Sequence, residues 1–276
     1  MFENVTPIVI AKGLNSPEGP SFDRKGILHF VDWDAKWIYK ISSDGKLTQF
    51  FYTGGTPTGS KFHRDGHLYV ADGDLGILDI APEGTLRVAA KEWQGKSFRG
   101  PNDLVFANNG DLYFSDPKGS DPDHPIGNIF LLRKDGKLEL FAGGFQFPNG
   151  VELSKDGRTL YVAETFPNQI LAFELDVNGR EKTHRIFAKL SGGIGPDGMV
   201  FGADGNLYVA HFGQGCVAVI DPGGNVIAQI PVGGRNPTNV AFWETSLYVT
   251  EVEQHQVVRL DLGVKGQTMF GLSSEQ

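Results

Sequence analysis

The sequence predicts an all-β protein, a six-bladed β-propeller with four antiparallel strands in each blade. Two observations support this prediction. A Leu-aromatic-aliphatic strand that ends in a polar residue recurs six times, and 37 of the 276 residues are glycine, as expected where many tight turns join short strands. The spacing between successive copies is 40 to 48 residues, a period typical of propeller repeats. The copies begin at Leu28, Leu68, Leu112, Leu160, Leu207 and Leu247.

Each repeat contains further strands around this marker. An apolar segment precedes the Leu strand, and a glycine-containing turn of the kind that favours tight hairpins joins the two in five repeats. Two more apolar segments follow in most copies, which gives four strands per repeat. The sixth repeat has only a weak fourth strand, whereas residues 7–11 (PIVIA) stand where a fourth strand would stand. We therefore expect a single domain over residues 1–276, in which the N-terminal strand pairs with the last blade and closes the ring.

Composition and charge limit the classes of partner. The formal net charge of −8 disfavours binding to nucleic acid, because an acidic surface repels phosphate backbones. The one cysteine, Cys216, cannot form an internal disulfide. No apolar run approaches the length of a membrane span, and the N-terminus lacks the pattern of a signal peptide. These features favour a cytoplasmic protein with a small-molecule ligand, and they leave its oligomeric state open.

The repeat register points to a metal site on the propeller axis. In each copy a proline precedes the first strand, and the residue after that proline carries a side-chain oxygen: Glu18, Thr58, Asn102, Asn149, Asp197 and Thr238. Such side chains, gathered at one end of a central channel, need a cation or ordered water to satisfy them. Hard oxygen ligands suit Ca²⁺, Mg²⁺ or Mn²⁺, with Zn²⁺ or Fe²⁺ as alternatives. We expect one divalent cation held by Glu18, Asn149 and Asp197, with Asn102 as the next candidate; the alternative is that each is only a turn residue.

A second set of polar residues ends the Leu strands, and we expect several of these residues to support the axial ring from behind. Solvent-exposed strand ends are the expectation for Asp72 and Glu251. The set consists of Asp32, Asp72, Asp116, Glu164, His211 and Glu251.

The loops at this end of the channel are rich in aromatic residues, which suits a small ligand with a reactive polar group and some apolar surface. The alternative is that several of these rings pack between blades. The candidate substrate-binding residues at this mouth are Trp33, Phe98, Arg99, Phe147, Phe166 and His211.

Four stretches that span nearly the whole chain resemble the senescence marker protein/gluconolactonase family, also called regucalcin-like proteins. They are SPEGPSF, RGPNDLVF with YFSDP, FPNGVELSKDGRTLYVAE, and GPDGMVFGADGNLYVAHFG. The resemblance implies a six-bladed propeller with a divalent cation near its axis, ligated by residues equivalent to Glu18, Asn149 and Asp197. It further implies that Asn102 contacts metal, water or substrate, and that Arg99 and Asp103 contact sugar substrates, although Gly100-Pro101 departs from the animal-type pattern.

The resemblance also implies a metal-dependent hydrolase, since family members open lactones and some hydrolyse organophosphates. The sequence accordingly favours a lactonase of the gluconolactonase type, with calcium as the favoured metal and Asp197 as the catalytic general base. The substrate is a sugar lactone or an apolar or aromatic lactone. Two alternatives remain open: a phosphotriester or simple ester hydrolase at the same cation, and a non-catalytic propeller that binds calcium or a protein partner.

Overall fold

The structure, a computed structural model, describes residue 2 and residues 4–267, and every regular element in that part of the chain is a β-strand. The predicted domain of residues 1–276 therefore includes eleven positions, 1, 3 and 268–276, that lie outside the described residues. Six four-stranded antiparallel sheets form the blades of a propeller, which confirms the predicted fold class. Within the described part of the chain no helix is long and apolar enough to cross a membrane.

Blades 1 to 3 run from the innermost strand to the outermost in chain order. Blade 1 contains β2 (Pro17–Phe22), β3 (Leu28–Asp32), β4 (Trp37–Ile41) and β5 (Leu47–Tyr52). Blade 2 contains β6 (Pro57–Phe62), β7 (Leu68–Asp72), β8 (Gly76–Ile80) and β9 (Leu86–Ala90). A short hairpin, β10 (Glu92–Trp93) and β11 (Lys96–Ser97), precedes blade 3. Blade 3 contains β12 (Leu104–Phe106), β13 (Leu112–Asp116), β14 (Gly127–Leu132) and β15 (Leu138–Phe145).

Blades 4 and 5 follow the same order, and blade 6 completes the ring. Blade 4 contains β16 (Pro148–Leu153), β17 (Thr159–Glu164), β18 (Gln169–Leu175) and β19 (Glu181–Lys189). Blade 5 contains β20 (Gly195–Phe201), β21 (Leu207–Phe212), β22 (Cys216–Ile220) and β23 (Val226–Pro231). Blade 6 contains β24 (Pro237–Trp243), β25 (Ser246–Glu251), β26 (Gln256–Asp261) and, from the N-terminus, β1 (Ile8–Lys12).

The N-terminal strand closes the ring as the sequence predicts. Strand β1 pairs antiparallel with β26, with Val9 opposite Val258 and Lys12 opposite Gln256. Blade 6 is therefore built from both ends of the described chain, and the inner strand of each blade contacts the inner strands of its two neighbours. The closed arrangement leaves no unpaired edge between the first and last blades.

The apolar core lies between the blades. Six clusters of buried apolar side chains each draw on two consecutive blades, and the cluster between blades 6 and 1 includes Ala241 and Phe30. Packing of this kind holds the blades rigidly around the axis, because each buried aliphatic or aromatic side chain contributes about 1.5–3 kcal/mol relative to exposure. The polar residues at the inner strand ends are thus presented by a stiff scaffold.

Candidate metal centre and active site

The residues of the predicted ring lie at the starts of the inner strands, or two residues before the strand in the case of Asn102, at one end of the channel, here called the mouth. Glu18 and Asp197 are both buried, although they come from blades 1 and 5. Burial, followed by the charges of Asp197 and Asp103, raises the pKa of Glu18 well above its ordinary value. Burial, followed by the charge of Asp103, likewise raises the pKa of Asp197. The charges that oppose ionisation of Glu18 and Asp197 thus come from other carboxyl groups of this end, and joint ionisation of these groups is costly without a cation.

The ring also presents carboxamide oxygens without protein partners. The Oδ1 atoms of Asn102, Asn149 and of the carboxyl group of Asp103 are buried, and none has a hydrogen-bond partner among the described residues. The Asn149 amide lowers the pKa of Asp197 and offsets part of the rise, and Asn149 Nδ2 lies 3.5 Å from Thr165 Oγ1. Buried oxygens without partners are unusual in folded proteins and indicate an additional bound group.

This donor set fits a hard divalent cation. The predicted ligands are two carboxylates, Glu18 and Asp197, and two carboxamides, Asn102 and Asn149, which are the oxygen types that Ca²⁺ and Mg²⁺ prefer. Within residue 2 and residues 4–267, no group of three or more His, Cys, Asp or Glu side chains is arranged to hold a metal. The amide oxygens are therefore essential to the predicted site.

Glycine explains how the inner strands approach so closely. A glycine follows the ring residue in four blades, and a Cβ at Gly150 would lie 2.3 Å from the carbonyl oxygen of Asp197 in the next blade. A Cβ at Gly19 would lie 2.7 Å from the backbone nitrogen of Ser60. Side chains at these positions would push the blades apart.

The other two blades carry Asp103 and Asn239 at this glycine position, and both side chains are buried. Asn239 Nδ2 donates to Glu18 Oε2 at 3.3 Å, and the Asn239 amide also lowers the pKa of Asp103. Sequence reasoning missed Asn239, although its signal was present: a carboxamide stands where four repeats have glycine.

The polar residues that end the second strands fix the loops that lead into the ring. Five carboxylates accept hydrogen bonds from backbone N–H groups of those loops. Asp32 accepts from Ser16 at 2.9 Å, and Asp116 accepts from Gly100 at 2.6 Å. The remaining three are Asp72 from Thr56, Glu164 from Gln146, and Glu251 from Asn236.

The expectation that Asp72 and Glu251 are solvent-exposed was wrong. Both are fully buried, because each folds beneath its loop and accepts several backbone N–H groups, among them those of Leu75 and Gln254. A carboxylate that accepts two or three such bonds stabilises its loop, which a sequence pattern alone does not reveal.

Blade 5 departs from this arrangement at His211. The imidazole is fully buried, and neither ring nitrogen makes a well-formed hydrogen bond to the described residues. Burial lowers the pKa of His211, and the backbone of Gly192 offsets part of that lowering. The neighbouring loop is held instead through its own backbone, where Ile194 N donates to Phe212 O at 2.8 Å. A buried imidazole whose nitrogens lack partners among the described residues thus lies beside the segment that carries Asp197.

The structure separates Phe98, which packs inside blade 3, from the other predicted residues of the mouth. The rings of Phe147 and Phe166 contact each other edge to face at 5.6 Å between centroids. Trp33 is half-buried and Arg99 is exposed. Phe98 packs against Phe114 and Phe130 inside blade 3, with both centroid distances 5.1 Å.

A second group of buried ionisable residues lies at the opposite end of the channel from the mouth, here called the inner end. The sequence analysis did not single these residues out. Lys61 and Glu152 occupy equivalent positions near the ends of the inner strands of blades 2 and 4, and both line a cavity of about 40 Å³. Burial raises the pKa of Glu152 to about 7, and the charge of Lys61 limits the rise. Lys61 also lowers the pKa of Asp103, which connects this inner end electrostatically with the mouth.

Comparison with known proteins gives a consistent family. The sequence model of the SMP-30/Gluconolactonase/LRE-like region matches residues 16–253. A gluconolactonase of Zymomonas mobilis is 30% identical over 292 aligned positions, which cover 92% of this chain and 81% of the relative. A diisopropyl-fluorophosphatase of Loligo vulgaris is 28% identical over 95% of this chain and 93% of the relative.

Solved structures confirm the architecture. The crystal structure of a calcium-binding protein, regucalcin, from Agrobacterium tumefaciens superposes with a TM-score of 0.84 at 23% identity and covers 96% of each chain. At that identity the likeness concerns the fold.

Proposed function

The chain belongs to the SMP-30/gluconolactonase/LRE-like family, and from that premise we propose that it is a divalent-metal-dependent lactonase. The observation that carries the proposal is the set of buried oxygens at the mouth: the carboxyl groups of Glu18 and Asp197 and the unpartnered amide oxygens of Asn102 and Asn149. These four residues would hold the cation, for which calcium is the favoured identity. The bound cation would supply Lewis-acid polarisation of the ester carbonyl.

The remaining roles follow from the side-chain chemistry. Asp197 is the proposed general base and accepts a proton from the water whose oxygen bonds to the carbonyl carbon. The ring C–O bond then breaks, and the proton returns to the departing alkoxide oxygen, so that one water is consumed and one hydroxy acid forms. Asn102 and Asp103 would orient the substrate, and His211 would hydrogen-bond the substrate or a water.

The rim residues are proposed to contact the rest of the substrate. Arg99 is exposed and would hold a substrate oxygen. Trp33, Phe147 and Phe166 would supply apolar contact surface. Phe98, also a candidate, would act only through its packing on Phe114 in blade 3.

The test is hydrolysis of a lactone panel by the metal-stripped protein, to which Ca²⁺, Mg²⁺, Mn²⁺ or Zn²⁺ is added back singly. We expect acid release that requires a cation and stops with chelator. Cation binding measured by calorimetry without any turnover would favour a non-catalytic calcium-binding propeller instead.

A second candidate function is phosphotriester hydrolysis at the same site. The similarity over 95% of the chain to a protein named diisopropyl-fluorophosphatase favours it. Fluoride release from diisopropyl fluorophosphate, measured with the same protein and cations, separates the two candidates: a larger kcat/KM for the fluorophosphate than for every lactone would make the lactone activity secondary.

A further inference from the structure

The mouth carries an apolar ridge between blades 4 and 5, formed by the half-buried Phe147 and the exposed Phe166 and Ile194. Phe166 and Ile194 are 42% and 50% exposed, which is unusual for large apolar side chains next to polar ligands. Most other exposed large apolar residues lie on the outermost strands of the blades: Ile8, Val9, Tyr52, Leu86, Val88, Leu140, Ile186, Val226 and Ile227. Leu75 and Ile126, each 37% exposed, lie in mouth loops of blades 2 and 3, so the ridge is distinct from the outer strands and carries the two more exposed of these mouth side chains.

The backbone holds the three ridge residues in place. Phe147 has a φ of 65°, rare for an aromatic residue, while its N–H donates to Ser120 Oγ at 3.0 Å and its carbonyl accepts from Thr165 N at 3.0 Å. Gly195 packs directly on the carbonyl of Thr165, so that Ile194 and Phe166 flank one contact between the blades. A surface fixed in this way is preorganised for a ligand.

The ridge also lies beside the proposed reaction site. Phe147 stands two residues before Asn149, and Ile194 stands three residues before Asp197. Thr165, which precedes Phe166, donates to the carbonyl of Pro196 at 2.8 Å. A substrate whose carbonyl lies at the ring therefore meets these apolar side chains on the side of blades 4 and 5.

We propose that this ridge is a subsite for the alkyl substituent of a lactone, so that the enzyme prefers alkyl-substituted lactones to polyhydroxylated ones. The inference rests on the proposed lactonase function. The side chains of Phe147, Phe166 and Ile194 offer no hydrogen bonds. The hydroxyl groups of a sugar lactone would therefore lose their hydrating water on this ridge without compensation. An alkyl chain would instead gain free energy by covering the exposed faces of Phe166 and Ile194.

The test compares kcat/KM for γ-nonanolactone, which carries a pentyl substituent, with that for γ-butyrolactone and for glucono-δ-lactone. We expect γ-nonanolactone to be favoured at least tenfold over the other two. The variants Ile194→Asn and Phe166→Ser should each lower the nonanolactone-to-butyrolactone ratio about tenfold, mainly through KM. Ile227→Asn is the matched control, because Ile227 is 51% exposed but lies on the outermost strand of blade 5.

Two results would overturn the subsite and leave the lactonase proposal standing: a preference for glucono-δ-lactone, or a ratio that does not change in either ridge variant while both variants melt like the parent. Failure of every lactone in the presence of each cation is a different outcome and removes both proposals.

Discussion

The two ends of the axial channel solve the problem of buried charge in different ways. At the inner end the chain places Lys61 near Glu152, so a negative group has a positive neighbour. At the mouth Glu18, Asp103 and Asp197 lie near one another, and each has a raised pKa because of burial. The inner end therefore has a countercharge from the chain itself, whereas the carboxyl groups of the mouth oppose one another's ionisation, as expected if the proposed cation lies among them.

The largest effect should follow removal of the proposed base. Asp197→Asn keeps the shape of the side chain but removes its ability to accept a proton, and we expect kcat/KM for a lactone to fall about 10²–10⁴-fold. Asp135→Asn, in an exposed turn of blade 3, is the control and should leave turnover unchanged. Near-parental turnover in the Asp197 variant, with the cation still bound, would remove Asp197 as base.

The next effect concerns stability and has opposite signs with and without cation. Saturating Ca²⁺ should stabilise the parent protein against unfolding by about 3 kcal/mol at a hundredfold excess over Kd. Without cation at pH 8, Asp197→Asn should be more stable than the parent, because ionisation of the buried carboxyl opposes folding. Thermal melts of the parent and of Asp197→Asn, each with chelator and with Ca²⁺, measure these stabilities. If Ca²⁺ raised the melting temperature of both proteins equally, the proposed difference between the two ends would be contradicted.

The sequence was sufficient for the fold because each repeat carries its own turns and apolar strands, from Leu28 to Leu247. It also predicted equivalent positions for Glu18, Asn149 and Asp197, and the structure places each of them just after the proline near the start of an inner strand, while their role as ligands stays a prediction. The burial of Asp72 could not be predicted in the same way, because it depends on how a loop folds back over the strand end.

The inner end shows a different limit. Lys61 and Glu152 each stand one residue before the end of an inner strand, where a charged side chain is a visible signal, but only the assembled ring shows that both line one cavity. The two residues come from strands about ninety residues apart in the sequence, so their proximity follows only from the assembled ring.

The pH dependence of the free energy of unfolding tests the state of Glu152 at the inner end. Its pKa is about 7 in the folded protein against an ordinary value of 4.5, so the folded state binds more protons between those values. The free energy of unfolding of the parent should therefore fall as pH rises from 4.5 to 7, by about 3 kcal/mol relative to Glu152→Gln. Urea titrations of both proteins at pH 4.5, 6 and 8 give the difference, and a pH-independent difference would show that folding leaves the pKa of Glu152 at its ordinary value.

The smallest effect links the two ends. Lys61 lowers the pKa of Asp103, so its positive charge also acts on a cation at the mouth. Removing that charge in Lys61→Met should tighten Ca²⁺ binding about fivefold, the result of a charge interaction of about 1 kcal/mol across a partly polar interior.

Lys155→Met is the matched control, because Lys155 lines the same cavity but is exposed, and solvent screens its charge. Calorimetric Ca²⁺ titrations should therefore give a higher affinity for Lys61→Met than for the parent, and the same affinity for Lys155→Met as for the parent. Weaker binding in Lys61→Met would mean that the lysine supports the ring by position rather than by charge, and the two ends would then form one structural unit.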